Sequence, residues 1–374
     1  MTLLFWSSLA LIFLAYAAYP AWIYFNARFR PRPVQRASIF PSVTILLAVH
    51  NEQMYLPAKL QNLAKLDYPA DLVHVIVVSD GSTDESNKIL AAWEKIDNRR
   101  TVILTDHCGK ANALNRGLAE AKGEILVFTD ARQAIAPDGL KCLVSNFADP
   151  TVGCVSGELI AGQDRNSTFS EGVGLYWRLE KKIRNWEGLA GSTVGATGAF
   201  YAARRSLLSP LPQETILDDV YIPFQVIRQH QRVVFDPRAH VSDYLKPSPK
   251  QEYRRKVRTL LGNFQLLQLD PWLLTRSNPL RFEFICHKLL RLFVPLGLMG
   301  LLISTIWLRT DIYRLVLLIQ LIFYSLAALS IFQSKGGIVS RLANISLTFI
   351  VLNTAAAAAI LYFITGKKAA WARS

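Results

Sequence analysis

Cysteine and two common nucleotide-binding signatures are scarce or missing in this sequence. The four cysteines among 374 residues show no CxxC spacing and no nearby histidine pattern, which argues against a zinc site and favours reduced thiols. No GxxxxGK[ST] segment occurs, and no GxGxxG follows the first predicted strand. The sequence therefore lacks the features of a P-loop and of a dinucleotide-binding fold. The cysteines are Cys108, Cys142, Cys154 and Cys286.

Acidic residues are also in short supply. The chain has 28 Asp and Glu against 42 Lys and Arg, which gives a formal net charge of +14. Such an excess of positive charge is typical of a protein that binds nucleic acid, anionic lipid or a phosphorylated substrate. Much of it lies beside apolar segments, where attraction to lipid headgroups accounts for it most simply. No recognised nucleic-acid-binding motif accompanies the charge, so we expect membrane lipids and no nucleic acid among the partners.

Apolar residues, in contrast, are abundant. They make up 51% of the chain, and the mean hydropathy of +0.22 is high for a water-soluble domain. Four runs approach or exceed the ~17–25 residues that cross a hydrocarbon core. The first run is either a retained anchor or a cleaved signal; no basic segment precedes it, and Pro20 and Trp22 suit a cleavage site poorly, which favours the anchor. The predicted spans are 3–24, 292–308, 315–332 and 342–365.

Basic residues flank the long segment between the first and second spans. By the positive-inside rule they place this segment in the cytoplasm and the chain, as a multi-pass protein, in the inner (cytoplasmic) membrane. Lys335 and Arg341, between the third and fourth spans, agree with this orientation. The basic tail at 367–373 would then lie outside, which conflicts with it. The flanking residues are Arg28, Arg30, Arg32, Arg36, Arg276, Arg281, Lys288 and Arg291.

Short apolar runs alternate with segments of helical periodicity in the first half of the intervening segment. Runs that are apolar on both faces predict an α/β domain with a parallel sheet covered on both sides. We divide the chain into an N-terminal transmembrane helix, a cytoplasmic α/β domain, arginine-rich interfacial helices and three C-terminal transmembrane helices. These parts are 1–27, 28–245, 246–290 and 291–374. Predicted strands cover 43–49, 73–80, 101–105 and 124–130, and predicted helices cover 55–66 and 110–121.

Polar residues follow each predicted strand. In parallel sheets the ligand lies beyond the carboxyl ends of the strands. Any one of these residues could simply cap a helix or hold a turn, but four polar ends that converge on one edge predict a site. They are the residues at 50–52, 79–84, 106–110 and 130–133.

The second half of the domain is less regular. A glycine turn, a strand and a helix start are predicted for 195–208, and an acidic turn, a helix and a strand for 214–237. Asp218 and Asp219 fall near the N-terminus of that helix, where the helix dipole favours anions. The segment 251–274 begins with arginines and becomes apolar, so it is predicted to lie along the membrane with its arginines facing the site.

This set of residues suits a phosphate-rich ligand with a divalent cation. Carboxylates bind Mg²⁺ or Mn²⁺. Lys110 acts as a compact charge on phosphate, and arginine binds it with two donors. Asp219 or Asp218 is then available as a general base. Displacement of a nucleoside diphosphate from a sugar needs these parts.

Five segments resemble, in order, motifs of the membrane-anchored family 2 glycosyltransferases, the group that includes cellulose, chitin and hyaluronan synthases. The similarity covers about 40–270 and the flanking spans. It implies a GT-A fold and an inverting transfer from a nucleotide-activated sugar, most often UDP-linked. The segments are VTILLAVHNEQMYLPAKLQNLAKLDYP, VIVVSDGSTDES, GKANALNRGLAEAKGEILVFTDAR, GATGAFYAARR and ILDDVYIPFQVIRQ.

The resemblance also implies roles for residues in these segments. Glu52 and Asp80 would contact the nucleoside, and Lys110 the phosphate region of the nucleotide. Asp130 would be the first acid of the family's Asp-x-Asp metal motif.

The resemblance also assigns roles to the acid pair and to the metal motif, and the metal motif departs from the family pattern. Asp219 would be the catalytic base, with Asp218 in the place of the preceding glutamate. Arg132 stands where the second metal-motif acid is expected. Because a guanidinium cannot bind a cation, the metal would depend on Asp130, the diphosphate and water or Asp219. Arg132 would pair with an acid such as Asp218 or bind a phosphate or an anionic acceptor.

A second departure lies near the membrane, where processive members carry Gln-x-x-Arg-Trp. Gln251 and Arg254 match this motif in one register. The downstream glycine favours the other register, in which Arg255 and Arg258 take the glutamine and arginine places, and we assign these two to substrate binding. The tryptophan is absent in both registers, which weakens the prediction of long-chain synthesis through a membrane channel.

Three functions follow. The favoured one is a transferase that extends a cell-surface polysaccharide or its lipid-linked precursor, with other polysaccharide-synthesis proteins as candidate partners. The second is a processive synthase that also exports its polymer. The third, suggested by Arg132 alone, is an inactive membrane subunit that binds a sugar nucleotide.

Overall fold

The structure, a computed structural model, describes residues 1–161, 168–243, 249–330 and 337–366. In this part of the chain, eight strands form one sheet with the order β3-β2-β1-β4-β7-β6-β8-β5. The strands are β1 (Val43–Val49), β2 (Val73–Asp80), β3 (Arg100–Thr105), β4 (Ile125–Thr129), β5 (Ala134–Ile135), β6 (Val152–Ala161), β7 (Phe200–Arg204) and β8 (Arg232–Asp243).

The sheet is mixed. Strands β1 to β4 run parallel, as predicted. Strand β7 is antiparallel to both β4 and β6, and β6 is parallel to β8, so the parallel pairing predicted from the first half does not extend to β7. The physical reason lies in the pairing of Thr129 with Phe200. The chain enters β7 at the edge where β4 ends, and it must therefore run back along β4.

The central strand β1 is buried on both faces, and its alternating side chains enter two separate cores. Leu46 packs on one face with Ile76, and Ile45 packs on the other with Val77. All four side chains are fully buried. Each contributes about 1.5–3 kcal/mol of hydrophobic free energy. The parallel half of the sheet is thus a rigid base for the residues at its carboxyl edge.

Helices cover the sheet and extend from it. The helix α7 and the strand β6 have no counterpart among the predicted elements. The helices are α1 (Thr2–Phe13), α2 (Tyr19–Phe29), α3 (Leu56–Ala64), α4 (Ser86–Glu94), α5 (Lys110–Glu120), α6 (Gly139–Ser145), α7 (Thr168–Ala190), α8 (Asp218–Arg228), α9 (Pro249–Leu269), α10 (Arg281–Phe284), α11 (Leu290–Trp307), α12 (Asp311–Leu329) and α13 (Ile338–Thr365). π-Helical segments at Leu14–Ala18 and Ile285–Leu289 join α1 to α2 and α10 to α11.

Four helical segments within the described residues are long and apolar enough to cross a membrane. They correspond to the four predicted spans. The second begins well before the predicted residue 292, because its π-helical segment continues α10 into α11 without a break. Lys335 and the basic tail at 367–373 lie outside the described residues. The segments are Thr2–Phe29, Arg281–Trp307, Asp311–Leu329 and Ile338–Thr365.

Buried polar contacts join α7 to the first two of these helical segments. The His287 ring nitrogens lie 2.6 Å from Glu187 Oε1 and 2.8 Å from Glu180 Oε1. Tyr19 donates to Glu187 at 2.5 Å, and Arg291 donates to Glu180 at 2.8 Å. Burial alone would raise the pKa of each glutamate, but the charge of His287 holds both pKa values below their usual range. Removal of His287 would take away the partner that both buried glutamates share, so this cluster fixes the α/β domain on its apolar helices.

Gly123 lies between α5 and β4, where no side chain fits. A Cβ there would lie 2.5 Å from the backbone nitrogen of Thr44 and 2.7 Å from the carbonyl carbon of Val43. We expect Gly123→Ala to push β1 away and to lower the free energy of unfolding by about 1–3 kcal/mol, the usual cost of overpacking. Thermal unfolding in detergent measures the loss as a lower Tm. Gly191→Ala is the control, since a Cβ at Gly191 meets nothing within 4 Å; equal Tm values for the two variants would contradict this steric argument.

Candidate active site

Asp80, the last residue of β2, shapes the loop that follows β3. Its two carboxylate oxygens accept hydrogen bonds from the backbone N–H groups of Cys108 and Gly109 at 2.7 and 2.9 Å. Gly109 has a φ of +88°, in the region that favours glycine, and it is the N-cap of α5. The next residue is Lys110. Asp80, which was predicted to contact a nucleoside, therefore also sets the position of Lys110.

Two histidines from the predicted polar strand ends, to which the sequence predictions gave no individual role, lie beside Asp80. The ring centroids of His50 and His107 are 4.4 Å apart, and His107 Nδ1 is 3.1 Å from an Asp80 carboxylate oxygen. One potential ligand atom from each of these three residues lies within 4.8 Å of the others, so we call them the His–Asp–His group, a candidate metal site. The sequence signal for it was the position of both histidines within two residues of the end of a predicted strand.

Lys110 joins two acids that come from different elements. Its Nζ lies 3.3 Å from Asp130 Oδ1, after β4, and 3.2 Å from Asp218 Oδ1, at the start of α8. Asp218 is buried and also accepts a hydrogen bond from the Tyr201 hydroxyl at 3.1 Å. Burial alone would lower the pKa of Lys110, but the neighbouring carboxylates raise it well above its usual value. The structure thus brings three predicted site residues together and adds Tyr201, which lies in one of the five motif segments but had been given no role.

Asp219 follows Asp218 and faces a different part of the site. Its Oδ2 would lie 3.0 Å from a Cβ on Gly198, so the carboxylate packs closely against the loop that precedes β7. Burial, together with the negative charge of Asp218, raises the pKa of Asp219 to about 6. Nearby cations act in the opposite direction; they are Lys110, Lys288 and Arg184.

Arg132 is exposed in the turn after β4. Asp218, one expected partner, pairs with Lys110 instead, so that pair with Arg132 is not formed. Arg132 acts electrostatically on Glu52, whose pKa is raised by burial and lowered by the guanidinium charge. Asp130 acts on Glu52 as well. Glu52, Asp130 and Arg132 therefore lie on one side of the site.

The helix α9 carries Arg255, which is half-buried, and Arg258, which is exposed. Further along this helix, the Gln265 side chain accepts a hydrogen bond from the Ile216 N–H and donates one to the Glu214 carbonyl, both at 2.9 Å. Through these bonds α9 holds the turn that leads into the acid pair. The assignment of the two arginines to substrate binding stays a prediction.

A buried lysine lies beneath the turn that carries Asp130. The Lys59 side chain on α3 is 2% exposed, and its Nζ donates to Thr129 Oγ1 at 2.8 Å and to the Gln133 carbonyl at 2.7 Å. Burial lowers the pKa of Lys59 to about 7, against the opposing effect of the Asp130 charge. The sequence signal that would have located it is a lysine on the leucine-spaced face of the predicted helix.

Two sets of donors could hold a cation. Asp130 and Asp218 offer carboxylate oxygens, the ligands that Mg²⁺ and Mn²⁺ prefer. The His–Asp–His group offers ring nitrogens, and its Asp80 carboxylate already accepts two backbone hydrogen bonds. The pair Asp130 and Asp218 therefore fits Mg²⁺ or Mn²⁺ better than the His–Asp–His group does. In the structure, the Lys110 ammonium group compensates the negative charge of these two acids.

Known proteins resemble parts of this chain in sequence. Residues 44–211 match the family model of glycosyl transferase family 2. A poly-beta-1,6-N-acetyl-D-glucosamine synthase of Staphylococcus epidermidis is 24% identical over 257 residues, which cover 66% of this chain and 60% of that protein. The protein of the same name from Staphylococcus aureus strain COL is 23% identical over 239 residues, which cover 61% and 56%. The chain thus spans no more than about 60% of the length of these relatives.

A solved structure shares the fold over almost the whole chain. It is a mannosyltransferase from Pyrobaculum calidifontis in complex with GDP-Man and Mn²⁺, with a TM-score of 0.70 and 22% identity over 98% of this chain and 100% of that one. The likeness therefore covers the sheet and the four apolar helical segments. Residues 44–211 thus form a domain similar to glycosyl transferase family 2, and the chain has the GT-A fold.

Proposed function

We propose that the protein is an inverting glycosyltransferase that moves a sugar from a nucleoside diphosphate to a lipid-linked or growing saccharide acceptor. The observation that carries this proposal is the meeting of Lys110, Asp130, Asp218 and Asp219 at one edge of the sheet. One side of this cluster suits a cation and a diphosphate. The other side presents a separate carboxylate next to a glycine-containing loop.

Asp219 is the proposed general base. It accepts the proton of an acceptor hydroxyl while that oxygen forms a bond to the anomeric carbon of the donor sugar. The bond from this carbon to the diphosphate breaks, and its electron pair leaves with the diphosphate. Attack opposite to the leaving group inverts the anomeric centre. A carboxylate with a pKa of about 6 is deprotonated at neutral pH and still basic enough for this role.

The leaving diphosphate needs positive charge. Lys110 supplies an ammonium group, and Asp218 and Tyr201 hold its position from the buried side. A Mg²⁺ or Mn²⁺ ion held by Asp130 would neutralise further charge on the leaving group when bound. Arg132, in its exposed turn, is available for a phosphate oxygen, which a guanidinium binds with two donors.

Further proposals concern the sugar donor, the residues that bind the substrate and the location of the site. Glu52 and Asp80 stay assigned to the nucleoside, and Arg255 and Arg258 to the substrate. The basic flanks favour a cytoplasmic site at the inner membrane, beside lipids and other polysaccharide-synthesis proteins. The family resemblance favours a UDP-linked sugar, and the mannosyltransferase with the same fold is in complex with GDP-Man. Release of nucleoside diphosphate from UDP-glucose, UDP-galactose, UDP-N-acetylglucosamine and GDP-mannose, each with Mn²⁺, identifies the donor.

The alternative is a processive synthase that exports its polymer. The name of the staphylococcal relatives favours it. The missing motif tryptophan and the small number of apolar helical segments speak against it. Sizing of the product that purified protein makes from one labelled sugar separates the two: long chains support the synthase, and single additions support the simple transferase.

Asp219→Asn tests the base. The amide cannot accept the proton, so we expect transfer to fall by about 10²–10⁴-fold. Affinity for the free nucleotide should change little, because Asp219 faces the acceptor side. Initial rates in detergent and nucleotide titrations measure both quantities. Asp67→Asn, at an exposed acid paired with Lys141, is the control. Turnover like that of the wild type in Asp219→Asn would refute this assignment.

The pH dependence follows from the raised pKa of Asp219. Because burial and Asp218 raise it to about 6, the carboxylate is present above about pH 6 and is lost as the pH falls through this value. We expect kcat/KM to fall up to tenfold per pH unit below about 6. In Asp218→Asn, which removes a neighbouring negative charge, the midpoint should move down. A rate that is constant between about pH 7.5 and 5 is incompatible with Asp219 as the base.

Substitutions of Asp130 and Arg132 should affect the Mn²⁺ dependence of transfer differently. We expect Asp130→Ala to lose Mn²⁺-stimulated transfer, since it removes a cation ligand. Arg132→Ala should instead raise the donor or acceptor KM at an unchanged Mn²⁺ requirement, since it removes a phosphate contact. Rates measured over a Mn²⁺ titration at several donor concentrations separate these effects. Equal loss of Mn²⁺ dependence in both variants would rule out this division of roles.

A further inference from the structure

Lys59 is a basic side chain in a place where charge is costly. It lies on α3 and is 2% exposed. Burial of an ammonium group away from water costs several kcal/mol unless its partners compensate. Within the described residues, no carboxylate lies within 4.0 Å of its Nζ, and both of its hydrogen-bond partners are uncharged oxygens. A lysine in such a place requires a reason other than surface charge.

The two hydrogen-bond partners of Lys59 lie at the two ends of the turn that carries the metal motif. Thr129, whose hydroxyl accepts one bond, directly precedes Asp130. Gln133, whose carbonyl accepts the other, directly follows Arg132. A single buried amine therefore spans the turn that carries the proposed metal ligand and the arginine beside it.

The same contacts continue toward the base. The Thr129 hydroxyl, which accepts from Lys59, donates to the carbonyl of Ala199 at 3.0 Å. Ala199 follows Gly198, against which the Asp219 carboxylate packs. Two hydrogen bonds thus connect the amine to the loop on the acceptor side, so the turn and this loop share one anchor.

The chemistry of an amine suits this position better than that of a guanidinium. A neutral amine has two N–H groups, which match the two acceptors present. The pKa of about 7, lowered by burial, makes this form accessible near neutral pH. Lys59 can then hold the turn without a fixed positive charge behind Asp130, where an always-charged arginine would repel a divalent cation.

We propose that Lys59 is a positioning residue for donor binding, which holds the turn so that Asp130 faces the divalent cation and Arg132 faces the diphosphate. This rests on the proposed function, because it presupposes that Asp130 binds the cation of a metal–nucleoside diphosphate complex. Its effect therefore belongs to metal and donor affinity and not to proton transfer at Asp219.

Lys59→Met tests this role, because it keeps the side-chain length and removes the N–H groups. We expect Mn²⁺ binding by the full chain in detergent, with UDP or GDP present, to weaken at least about tenfold by calorimetry. The donor KM should rise, while the acid limb near pH 6 stays in place, which a general loss of structure would not produce. Lys65→Met is the matched control, at an exposed lysine directly after the same helix, and should bind Mn²⁺ as the wild type does.

A second variant keeps the test decisive if Lys59→Met does not fold. Thr129→Val removes one acceptor with little change of shape and should weaken Mn²⁺ binding in the same direction. Where both variants fold, their effects should be less than additive, since both break the same hydrogen bond. Mn²⁺ affinity within about twofold of the wild type, in folded Lys59→Met or in Thr129→Val, overturns the proposal.

Measurements of binding and transfer on the wild-type chain distinguish a failure of this inference from a failure of the proposed function. Binding of Mn²⁺ and nucleotide without sugar transfer contradicts the proposed function alone. A wild-type chain that binds no Mn²⁺ with either UDP or GDP overturns both.

Discussion

Mutual repulsion among carboxylates is the constraint on which the site depends. Asp130, Asp218 and Asp219 meet at one sheet edge, where partial burial strengthens the interaction between like charges. The raised pKa of Asp219 reflects this environment. Lys110 relieves the repulsion between the other two, since its ammonium group contacts both. Its position in turn depends on Asp80, whose carboxylate organises the loop before α5. Lys110 thus allows Asp130 and Asp218 to lie close together, while Lys288 and Arg184 add positive charge near Asp219.

The sequence was sufficient for the parts of the site that follow parallel strands. Strands β1 to β4 contain apolar runs with clear ends, so the residues after them could be assigned to one edge before any contact was known. Asp130 and Lys110 were found in this way. The direction of β7 could not be predicted, because a short, mostly apolar strand has the same sequence pattern whichever way it pairs. Its antiparallel pairing depends on Phe200 meeting Thr129, which is a long-range contact.

Other features escaped prediction because their meaning comes from partners far away in the chain. Lys59 reads as one polar residue in an amphipathic helix until the turn at Asp130 is placed over it. Glu180 and Glu187 lie in a helix that was not predicted, and His287, about a hundred residues later in the sequence, is within hydrogen-bond distance of both. Buried charges are unfavourable alone and acceptable in pairs, so neither member of such a pair is recognisable without the other.

The pairing of β4 with β7 has a consequence for how this architecture can diversify. The residue after β4 is the proposed metal ligand, and the residues before β7 form the loop against Asp219. Backbone hydrogen bonds between adjacent strands therefore fix the span between the leaving-group side and the acceptor side. Loops around the rim can change length and composition without altering that span. A scaffold of this kind can acquire preference for a new sugar or acceptor through its periphery while the geometry of the reacting atoms is inherited unchanged.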